Sequence, residues 1–385
     1  MLNSTNRLEL VARLRTAVED YMTVFNHSFD DANNANVLAE NGNAEQRPNG
    51  TIRLHGKLKV APEKAYRPIR QRLERLGYTP YLNDEPPHTD NASEYSRECT
   101  HELVAVPGVI PKTPQNIYIN IALFVATVIS VALAGSSFSD NATPMSGLLS
   151  GLMYAGSLLS ILVAHEAGHY IVGRLRGAPV SLPYFIPFPL NFFGTMGAVI
   201  VQREPFEDRR TMLEIGIAGP LAGFIVAVPL YMFGLTVSAV KAIPAAGSFI
   251  SFGDSLLTHF FKLLQFGWFQ PGTDIFEHPI CLGAWIGLLI TGINLIPAGQ
   301  LDGGHIASAI LGPKAKYLSY AMIAVMLGLS LVSTSWLLWA ALLLVFGRSH
   351  PPALNNAARL DIWHYGLGLI ALLVFILVFV PRPIY

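Results

Sequence analysis

Leu148–Val172 reads LLSGLMYAGSLLSILVAHEAGHYIV, an apolar run that is long enough to cross a lipid bilayer and contains His165, Glu166 and His169. Residues four positions apart share one face of a helix, so both imidazoles can bind a single metal ion while Glu166 lies next to them. Ionisable groups are costly in hydrocarbon and occur there mainly where they serve a function. The run therefore predicts a transmembrane helix that carries part of a metal site.

The composition of the whole chain is that of a membrane protein. Hydrophobic residues make up 51% of the sequence and charged residues only 14%, well below the roughly 25% that is typical of soluble domains. The net charge is zero, and neither a basic arm nor zinc-finger spacing occurs, so we expect no nucleic-acid partner. Two cysteines, Cys99 and Cys281, exclude both a disulfide framework and a cysteine metal cage. Any metal must therefore be bound by histidine and carboxylate.

The region before the first apolar segment is polar and predicts a small soluble domain. Leu8, Val11 and Leu14 recur at helical spacing, which predicts an amphipathic helix that either packs on this domain or lies on the membrane surface. Apolar and basic residues alternate from Ile52, as in a half-buried strand, and a helical stretch from Pro62 to Leu76 follows. The predicted parts of the chain are an amphipathic helix at 1–29, a linker at 30–50, a soluble α+β domain at 51–107, a tether at 108–116 and a membrane domain at 117–385 with its core at about 145–312.

Seven apolar segments follow the tether, and six or seven of them are expected to cross the membrane. The sixth has about half of the ~20 residues that a crossing helix needs, so it either re-enters on one side or begins earlier. Lys and Arg are concentrated in the N-terminal region and in the loops 174–210 and 298–316, which we expect to face the cytoplasm. The segments are Ile117–Leu133, Leu148–Val172, Leu213–Leu235, Pro279–Ile296, Tyr317–Val332, Trp336–Phe346 and Tyr365–Val380.

A metal site on the second segment needs a further ligand, because catalytic zinc usually has three protein ligands and an open fourth position. The candidate is Asp302, in the run NLIPAGQLDGG at 294–304, which is predicted to emerge on the same side of the membrane as His165 and His169. Proline and glycines break the helix there, and irregular backbone at membrane depth indicates a protein-lined or water-filled cavity. His305 is the competing ligand.

Two further features predict how a substrate is held. Val180–Val201 is apolar but interrupted by proline and glycine, which predicts a membrane-dipping β-hairpin, with an interfacial loop as the alternative. The stretch Gly194-Thr195-Met196-Gly197 belongs to an edge that can pair with an extended peptide. Asn294 is polar within an apolar segment, so it either bonds a neighbouring helix or stabilises the oxyanion that forms when a carbonyl is attacked.

Four motifs, in this order, resemble those of the site-2 protease family of intramembrane zinc metalloproteases and cover roughly residues 145–312. The small residues of the third motif also predict close packing of its segment against the histidine-bearing helix. The second and fourth motifs, with the domain that begins Leu54-His-Gly-Lys-Leu, look like the plant subgroup called ethylene-dependent gravitropism-deficient and yellow-green. The motifs are His165-Glu166-Ala-Gly-His169, Gly194-Thr195-Met-Gly197-Ala198, Gly219-Pro220-Leu-Ala-Gly223 and Asn294-Leu-Ile-Pro297-Ala-Gly299-Gln-Leu-Asp302-Gly303-Gly304.

The resemblance implies an intramembrane zinc metalloendopeptidase that cleaves the transmembrane segments of membrane protein substrates. It implies that His165, His169 and Asp302 bind Zn²⁺ and that Glu166 is the catalytic base. A PDZ domain is not expected, since no insert is long enough for one. The plant members carry a transit peptide and this sequence shows none, so a bacterial plasma membrane is the expected location, with the N-terminus and the active site toward the cytoplasm.

The expected fold is a polytopic α-helical membrane protein of six or seven spans, with a membrane-dipping β-hairpin and a small N-terminal cytoplasmic α+β domain. Two functions of other classes use the same residues. One is a membrane zinc transporter or sensor, and the other is a cleavage-dead scaffold that holds unfolded helices. Glu166 argues against both, because a base beside the metal is needless for binding alone.

Overall fold

The computed structural model describes residues 4–29, 50–84, 99–109, 115–138, 143–243, 251–268, 272–346 and 351–384. The chain is mostly helical, with small sheets, and forms two compact units. Residues 30–49 of the predicted linker and 110–114 of the predicted tether lie outside the described residues. The first unit contains Met1–Thr113, Glu204–Met212 and Pro351–Asp361, and the second contains Pro114–Arg203, Leu213–His350 and Ile362–Tyr385.

Within the described residues, the first unit consists of two helices and an antiparallel four-stranded sheet, in which the first strand pairs with the second, the second with the fourth and the fourth with the third. Its core includes Leu54, Ile69 and Leu103, which are fully buried. The strand predicted from Ile52 and the helix predicted from Pro62 are confirmed. The elements are α1 at Ser4–Val18, β1 at Met22–Phe29, β2 at Ile52–Leu58, α2 at Pro62–Arg75, β3 at Tyr78–Asp84 and β4 at His101–Pro107.

The prediction of one amphipathic helix over residues 1–29 is wrong in its second half. Helix α1 ends at Val18, and strand β1 follows and pairs antiparallel with β2, placing Met22 opposite Leu58. The partner strand lies far away in the sequence, so helical periodicity could not reveal this pairing. Val11 and Leu14 are buried in the core of this unit, so the apolar stripe of α1 packs against protein.

The core of the first unit is completed by a segment that lies close to the C-terminus of the chain. Leu354 and Ala357 are buried among the core residues of the sheet and helices. The Leu82 amide donates to the Leu354 carbonyl at 2.8 Å, and the Asn356 amide donates to the Leu82 carbonyl at 2.8 Å. This segment therefore extends the edge of β3, and the compact unit is larger than the predicted domain at 51–107.

The remaining elements of the described residues are helices, one short hairpin and one further antiparallel strand pair. Among the described residues, three helices are long and apolar enough to cross a membrane, at Ile117–Ser136, Pro144–Leu175 and Arg209–Thr236. Shorter apolar helices lie at Pro279–Asn294, Ser335–Val345 and Ile362–Val378. The span count of six or seven stays a prediction. The elements are α3 at Ile117–Ser136, α4 at Pro144–Leu175, β5 at Tyr184–Pro187, β6 at Thr195–Val199, α5 at Arg209–Thr236, β7 at Ala239–Ala242, α6 at Leu256–Phe266, β8 at Thr273–Phe276, α7 at Pro279–Asn294, α8 at Asp302–Leu311, α9 at Ala315–Leu329, α10 at Ser335–Phe346 and α11 at Ile362–Val378.

The β-hairpin predicted between the second and third apolar segments is present. Strands β5 and β6 are antiparallel, with Tyr184 opposite Val199. Strand β5 lies against α3, where the rings of Phe124 and Phe185 meet edge to face at 5.0 Å. The Asn120 side-chain amide, also on α3, donates to the Pro183 carbonyl at 2.8 Å. Contacts with a long apolar helix therefore hold the hairpin in place.

A second antiparallel strand pair, β7 with β8, and helix α6, which lies between these strands in sequence, were not predicted from the sequence. Lys262 of α6 contacts Asp254 at 2.8 Å and Glu277 at 3.0 Å in a largely buried ion-pair cluster. Burial raises the pKa of the Glu277 carboxyl above its ordinary value, and the positive charge of Lys262 opposes that shift. The cluster fixes α6 to the segment that leads into α7.

We predict that Leu354→Ala destabilises the first unit although the residue is far from its sheet in sequence. Removing a fully buried leucine leaves a cavity, so the free energy of unfolding should fall by about 2–5 kcal/mol. Native-state hydrogen exchange at the amides of β2 and β4 measures this loss. Leu8→Ala is the control, since Leu8 is exposed on α1 and its truncation should change stability by less than about 0.5 kcal/mol. Equal protection in the two variants would contradict the placement of Leu354.

Candidate metal centre

The two histidines lie one turn apart on α4 and face the interior of the second unit. The helix begins after Thr143, whose side chain accepts a hydrogen bond from the Ser146 amide, and Pro144 occupies its first turn. It continues without interruption to Leu175, so the spacing of four residues puts His165 and His169 on one buried face. Local helix geometry thus supplies two imidazoles at one depth.

A tight return of the chain after α7 brings the carboxylate of Asp302 to the same place. Gly299 has a φ of +59°, which is strained for any residue with a side chain. A Cβ atom on Gly303 would lie 2.1 Å from the Leu295 carbonyl oxygen, and one on Gly304 would lie 2.3 Å from the Gly299 oxygen. Glycine is therefore required for the turn that makes Asp302 the first residue of α8.

The three side chains converge with the spacing of a zinc site. The Nε2 atoms of His165 and His169 are 3.2 Å apart, and Asp302 Oδ2 lies 3.1 Å from the first and 3.3 Å from the second. In a tetrahedral site with ligand bonds of about 2.0–2.1 Å, neighbouring ligand atoms are about 3.3 Å apart. The triangle of donor atoms therefore matches one face of such a tetrahedron.

The hydrogen bond at the other ring nitrogen of His169 determines which nitrogen can bind a metal ion. His169 Nδ1 lies 2.7 Å from the Ile215 carbonyl oxygen, which can only accept, so Nδ1 carries a proton. When the ring is neutral, it points a lone pair at His165 and at the Asp302 carboxylate from Nε2. Three electron-rich atoms facing one another in a buried place repel unless a cation lies between them. The arrangement fits a metal ion, and the histidine and carboxylate donors fit zinc.

The other residues predicted for the site have distinct positions. Glu166 is only 5% exposed and interacts electrostatically with His165, His169 and Asp302. The Asn294 side-chain nitrogen is 3.4 Å from His165 Nε2, so Asn294 lies at the edge of the triangle. His305 is not a member of the group of converging ligand atoms among the described residues. The structure thus brings Asp302, and not His305, to the two imidazoles.

Small residues of α5 make room for the imidazoles. A Cβ atom on Gly219 would lie 2.1 Å from His169 Nε2, and one on Gly223 would lie 3.2 Å from the His165 Cβ. On the opposite helix, a Cβ on Gly168 would lie 2.4 Å from the Ala218 carbonyl oxygen. The close packing of α4 and α5 that the glycines predicted is confirmed, and it places a backbone carbonyl of Ile215 beside His169. Sequence reasoning missed that carbonyl, since a backbone acceptor has no residue signature.

The residues predicted to bind a substrate strand lie at the start of β6. Gly194 is the turn residue, with a φ of +76°, and its carbonyl accepts a hydrogen bond from Ser130 of α3 at 2.6 Å. Thr195 is buried, and its hydroxyl donates to the Ile186 carbonyl within the hairpin, so its side chain has a structural role. Met196 is 61% exposed, and the Gly197 amide donates to the Thr195 hydroxyl at 3.0 Å. Only Met196 of the four presents an exposed side chain.

The chain is similar in sequence to a peptidase family and to plant proteins named as probable zinc metalloproteases. Residues 153–334 match the model of Peptidase family M50. The chain is 31% identical to the probable zinc metalloprotease EGY2, chloroplastic, of Arabidopsis thaliana, over 87% of this chain and 61% of that protein. It is 30% identical to the probable zinc metalloprotease EGY1, chloroplastic, of the same plant, over 60% of this chain and 43% of that protein. The chain spans about three-fifths of the length of EGY2, the first of these relatives.

We predict that Gly219→Ala abolishes metal binding. The new methyl group would occupy the position of His169 Nε2, so the imidazole must leave the triangle or α5 must move away. Zinc content of the purified protein, measured by atomic absorption, should fall from about one ion per chain to well below that. Gly156→Ala on α4 is the matched control, because a Cβ atom there meets nothing within 4 Å. Full zinc content in Gly219→Ala would show that the packing of α5 does not shape the site.

Proposed function

We propose that this chain, whose residues 153–334 match the model of Peptidase family M50, is an intramembrane zinc metalloendopeptidase that cleaves the transmembrane segments of membrane protein substrates. The observation that carries the proposal is the buried triangle of His165, His169 and Asp302, with Glu166 beside it, on a helix long and apolar enough to cross a membrane. The relatives named as probable zinc metalloproteases support it.

The residues of the site divide into those that bind the metal and one that moves a proton. His165, His169 and Asp302 would hold Zn²⁺, which when bound supplies the Lewis acidity that activates water and polarises a peptide carbonyl. Glu166 has no place in the triangle and is free to take the proton from the attacking water. As the C–N bond breaks, Glu166 donates that proton to the leaving amine. The water oxygen ends in the new carboxyl group.

Asn294 has the position of a group that stabilises developing negative charge. Its side-chain nitrogen lies 3.4 Å from His165 Nε2, at the edge of the triangle. An amide donor in a buried place is worth more to an oxyanion than it would be in water. We propose that Asn294 donates to the carbonyl oxygen of the bond being cut.

The hairpin of β5 and β6 supports a way to hold the substrate. A transmembrane helix has its carbonyls in intrahelical hydrogen bonds, so it must unwind before a peptide bond can be attacked. Strand β6 pairs with β5 on one side only in the sheet that the described residues form. We propose that its other edge pairs with the unwound segment, with the exposed side chain of Met196 next to it. Recruitment through a PDZ domain is not part of this proposal.

The orientation in the membrane is proposed from the distribution of charge. The loops 174–210 and 298–316, which flank the histidine-bearing helix and Asp302, contain most of the Lys and Arg of the membrane domain's loops. We propose that they and the N-terminal unit face the cytoplasm or its topological equivalent, in a fold of six or seven spans. The relatives are chloroplastic by name, and a bacterial plasma membrane stays a prediction for this chain.

We predict that Glu166→Gln keeps the metal and loses the reaction. Glutamine has the size of glutamate but cannot accept a proton, so cleavage should fall by at least about 10²-fold while zinc content stays near one per chain. The measurement is cleavage of a single-span model substrate in proteoliposomes, with zinc content determined in parallel. Asp302→Asn is the paired variant, in which zinc content should fall as well.

Each rival function gives a different outcome in the same variants. A transporter would move zinc across proteoliposomes, and Glu166→Gln would leave that flux intact. A scaffold would bind helices in wild type and variant alike, with no cleavage in either. Cleavage at the wild-type rate by Glu166→Gln would refute the role of Glu166 as the base.

We also predict that Gly194→Ala weakens substrate use without loss of zinc. A Cβ atom there would lie 2.6 Å from the Val131 Cα and 2.7 Å from the Ser130 carbonyl oxygen, so the hairpin must move off α3. The specificity constant, kcat/KM, should fall about tenfold or more, and zinc content should not change. Gly177→Ala is the matched control, because Gly177 also has a positive φ of +75° but its Cβ would meet nothing within 4 Å. Equal activity in both variants would argue against a role of the hairpin in substrate binding.

A further inference from the structure

Three ionisable residues form another cluster in the second unit, around a buried carboxylate and separate from the metal triangle. Glu214, which is 7% exposed, accepts hydrogen bonds from Arg176 through both carboxylate oxygens. The His364 Nε2 atom lies 3.2 Å from Glu214 Oε1, and His364 is fully buried. Burying charges costs free energy unless geometry and hydrogen bonding compensate. This cluster satisfies that condition, since a bidentate arginine–carboxylate pair is among the strongest ion-pair geometries.

The cluster joins three helices at their ends. Arg176 directly follows α4, Glu214 lies in the second turn of α5, and His364 lies in the first turn of α11. None of the three is among the predicted ligands, the predicted base or the hairpin residues. A fully exposed pair would contribute little to stability, but here the Glu214 carboxylate is buried, although the Arg176 side chain is 47% exposed. The role of this ion pair therefore depends on its position along the helices.

Glu214 is adjacent in sequence to the residue that orients a metal ligand. The carbonyl of Ile215 accepts the hydrogen bond from His169 Nδ1 at 2.7 Å. Arg176 lies seven residues after His169, which is about two turns along the same side of α4. The ion pair between Arg176 and Glu214 and the hydrogen bond between His169 and Ile215 thus connect the same two helices at neighbouring turns. A shift of α5 along α4 would break both.

The face of α5 that meets α4 and α8 is rich in small residues. The helix faces α4 and α8 with Gly216 and Gly219, which have no side chain to interlock with a neighbour. Pro220 lacks an amide hydrogen, so the Gly216 carbonyl loses its usual helical donor and this turn is weakened. Close backbone packing makes room for the imidazoles but does not set the register of the helices. A directional contact is needed for that, and the bidentate pair supplies one.

We propose that Glu214 is a positioning residue of the metal centre. Held by Arg176 and His364, it fixes the Ile215 carbonyl so that His169 keeps its proton on Nδ1 and directs Nε2 to the metal. The inference rests on the proposed function, because it assigns a role to residues around the same zinc site. It extends that site to three residues that no ligand motif contains. Outer-shell partners of this kind typically change metal affinity by 10–100-fold when they are altered.

The test compares two ion pairs of the same unit, each with a buried glutamate, in the full-length protein in detergent micelles. Glu214→Gln keeps the size of the side chain and removes its charge, and Glu277→Gln does the same in the cluster around Lys262. Zinc affinity is measured by competition with a chromogenic chelator, and the ligand geometry by the visible absorption of the Co²⁺-substituted protein. We expect Glu214→Gln to bind zinc about 10–100-fold more weakly and to alter the Co²⁺ spectrum. Glu277→Gln should leave both near wild type, with a similar loss of thermal stability.

A second variant keeps the proposal testable if Glu214→Gln does not fold. Arg176→Lys retains the positive charge but cannot make the planar bidentate contact, so we expect a smaller weakening of zinc binding in the same direction. Zinc affinity within about twofold of wild type in both variants would overturn the proposal, as would equal weakening in Glu277→Gln. Wild-type protein that binds no zinc would instead refute the proposed function, and the role of Glu214 with it.

Discussion

The structure depends on the convergence of three electron-rich atoms in a place with little access to water. Two imidazole nitrogens and one carboxylate oxygen lie 3.1–3.3 Å from one another. Without a positive charge between them, the desolvation of the carboxylate and the repulsion of the lone pairs would both favour separation. A divalent cation reverses the sign of these interactions. The site is therefore a place where metal binding and local folding contribute to the same free energy.

Glycine residues in the surrounding backbone make this convergence possible. Gly219 leaves the volume that the His169 ring occupies, and Gly168 lets α4 and α5 approach until a backbone carbonyl reaches the ring. On the other side, Gly303 and Gly304 permit the tight return that delivers Asp302. Glycine in helices ordinarily costs stability, at about 1 kcal/mol relative to alanine. At these positions the cost is offset by contacts that no larger residue would allow.

The same helices connect the metal centre to the parts proposed to handle a substrate. Helix α3 holds the turn of the hairpin at Gly194, and α4 carries the histidines. The buried cluster around Glu214 ties the ends of α4, α5 and α11 at the level of the Ile215 carbonyl. A proton-accepting Glu166 can act only if the metal, the attacking water and the scissile carbonyl keep their relative positions. Rigid helices that keep a fixed register can hold these groups in their relative positions.

The sequence alone determined the local features of the protein. The spacing of His165 and His169 within an apolar run predicted a metal site on a helix, because helical periodicity is a local property. Broken backbone around Asp302 identified the third ligand as a candidate, and proline and glycine identified the hairpin. Tertiary structure decided the rest. The folded structure brings Asp302, and not His305, to the two imidazoles, and it places the Ile215 carbonyl beside His169. It also pairs β1 with β2 and places Leu354 in a core of residues that are distant in sequence. Each of these depends on contacts between distant segments, and such contacts arise from packing and shape complementarity, which no single stretch of residues contains.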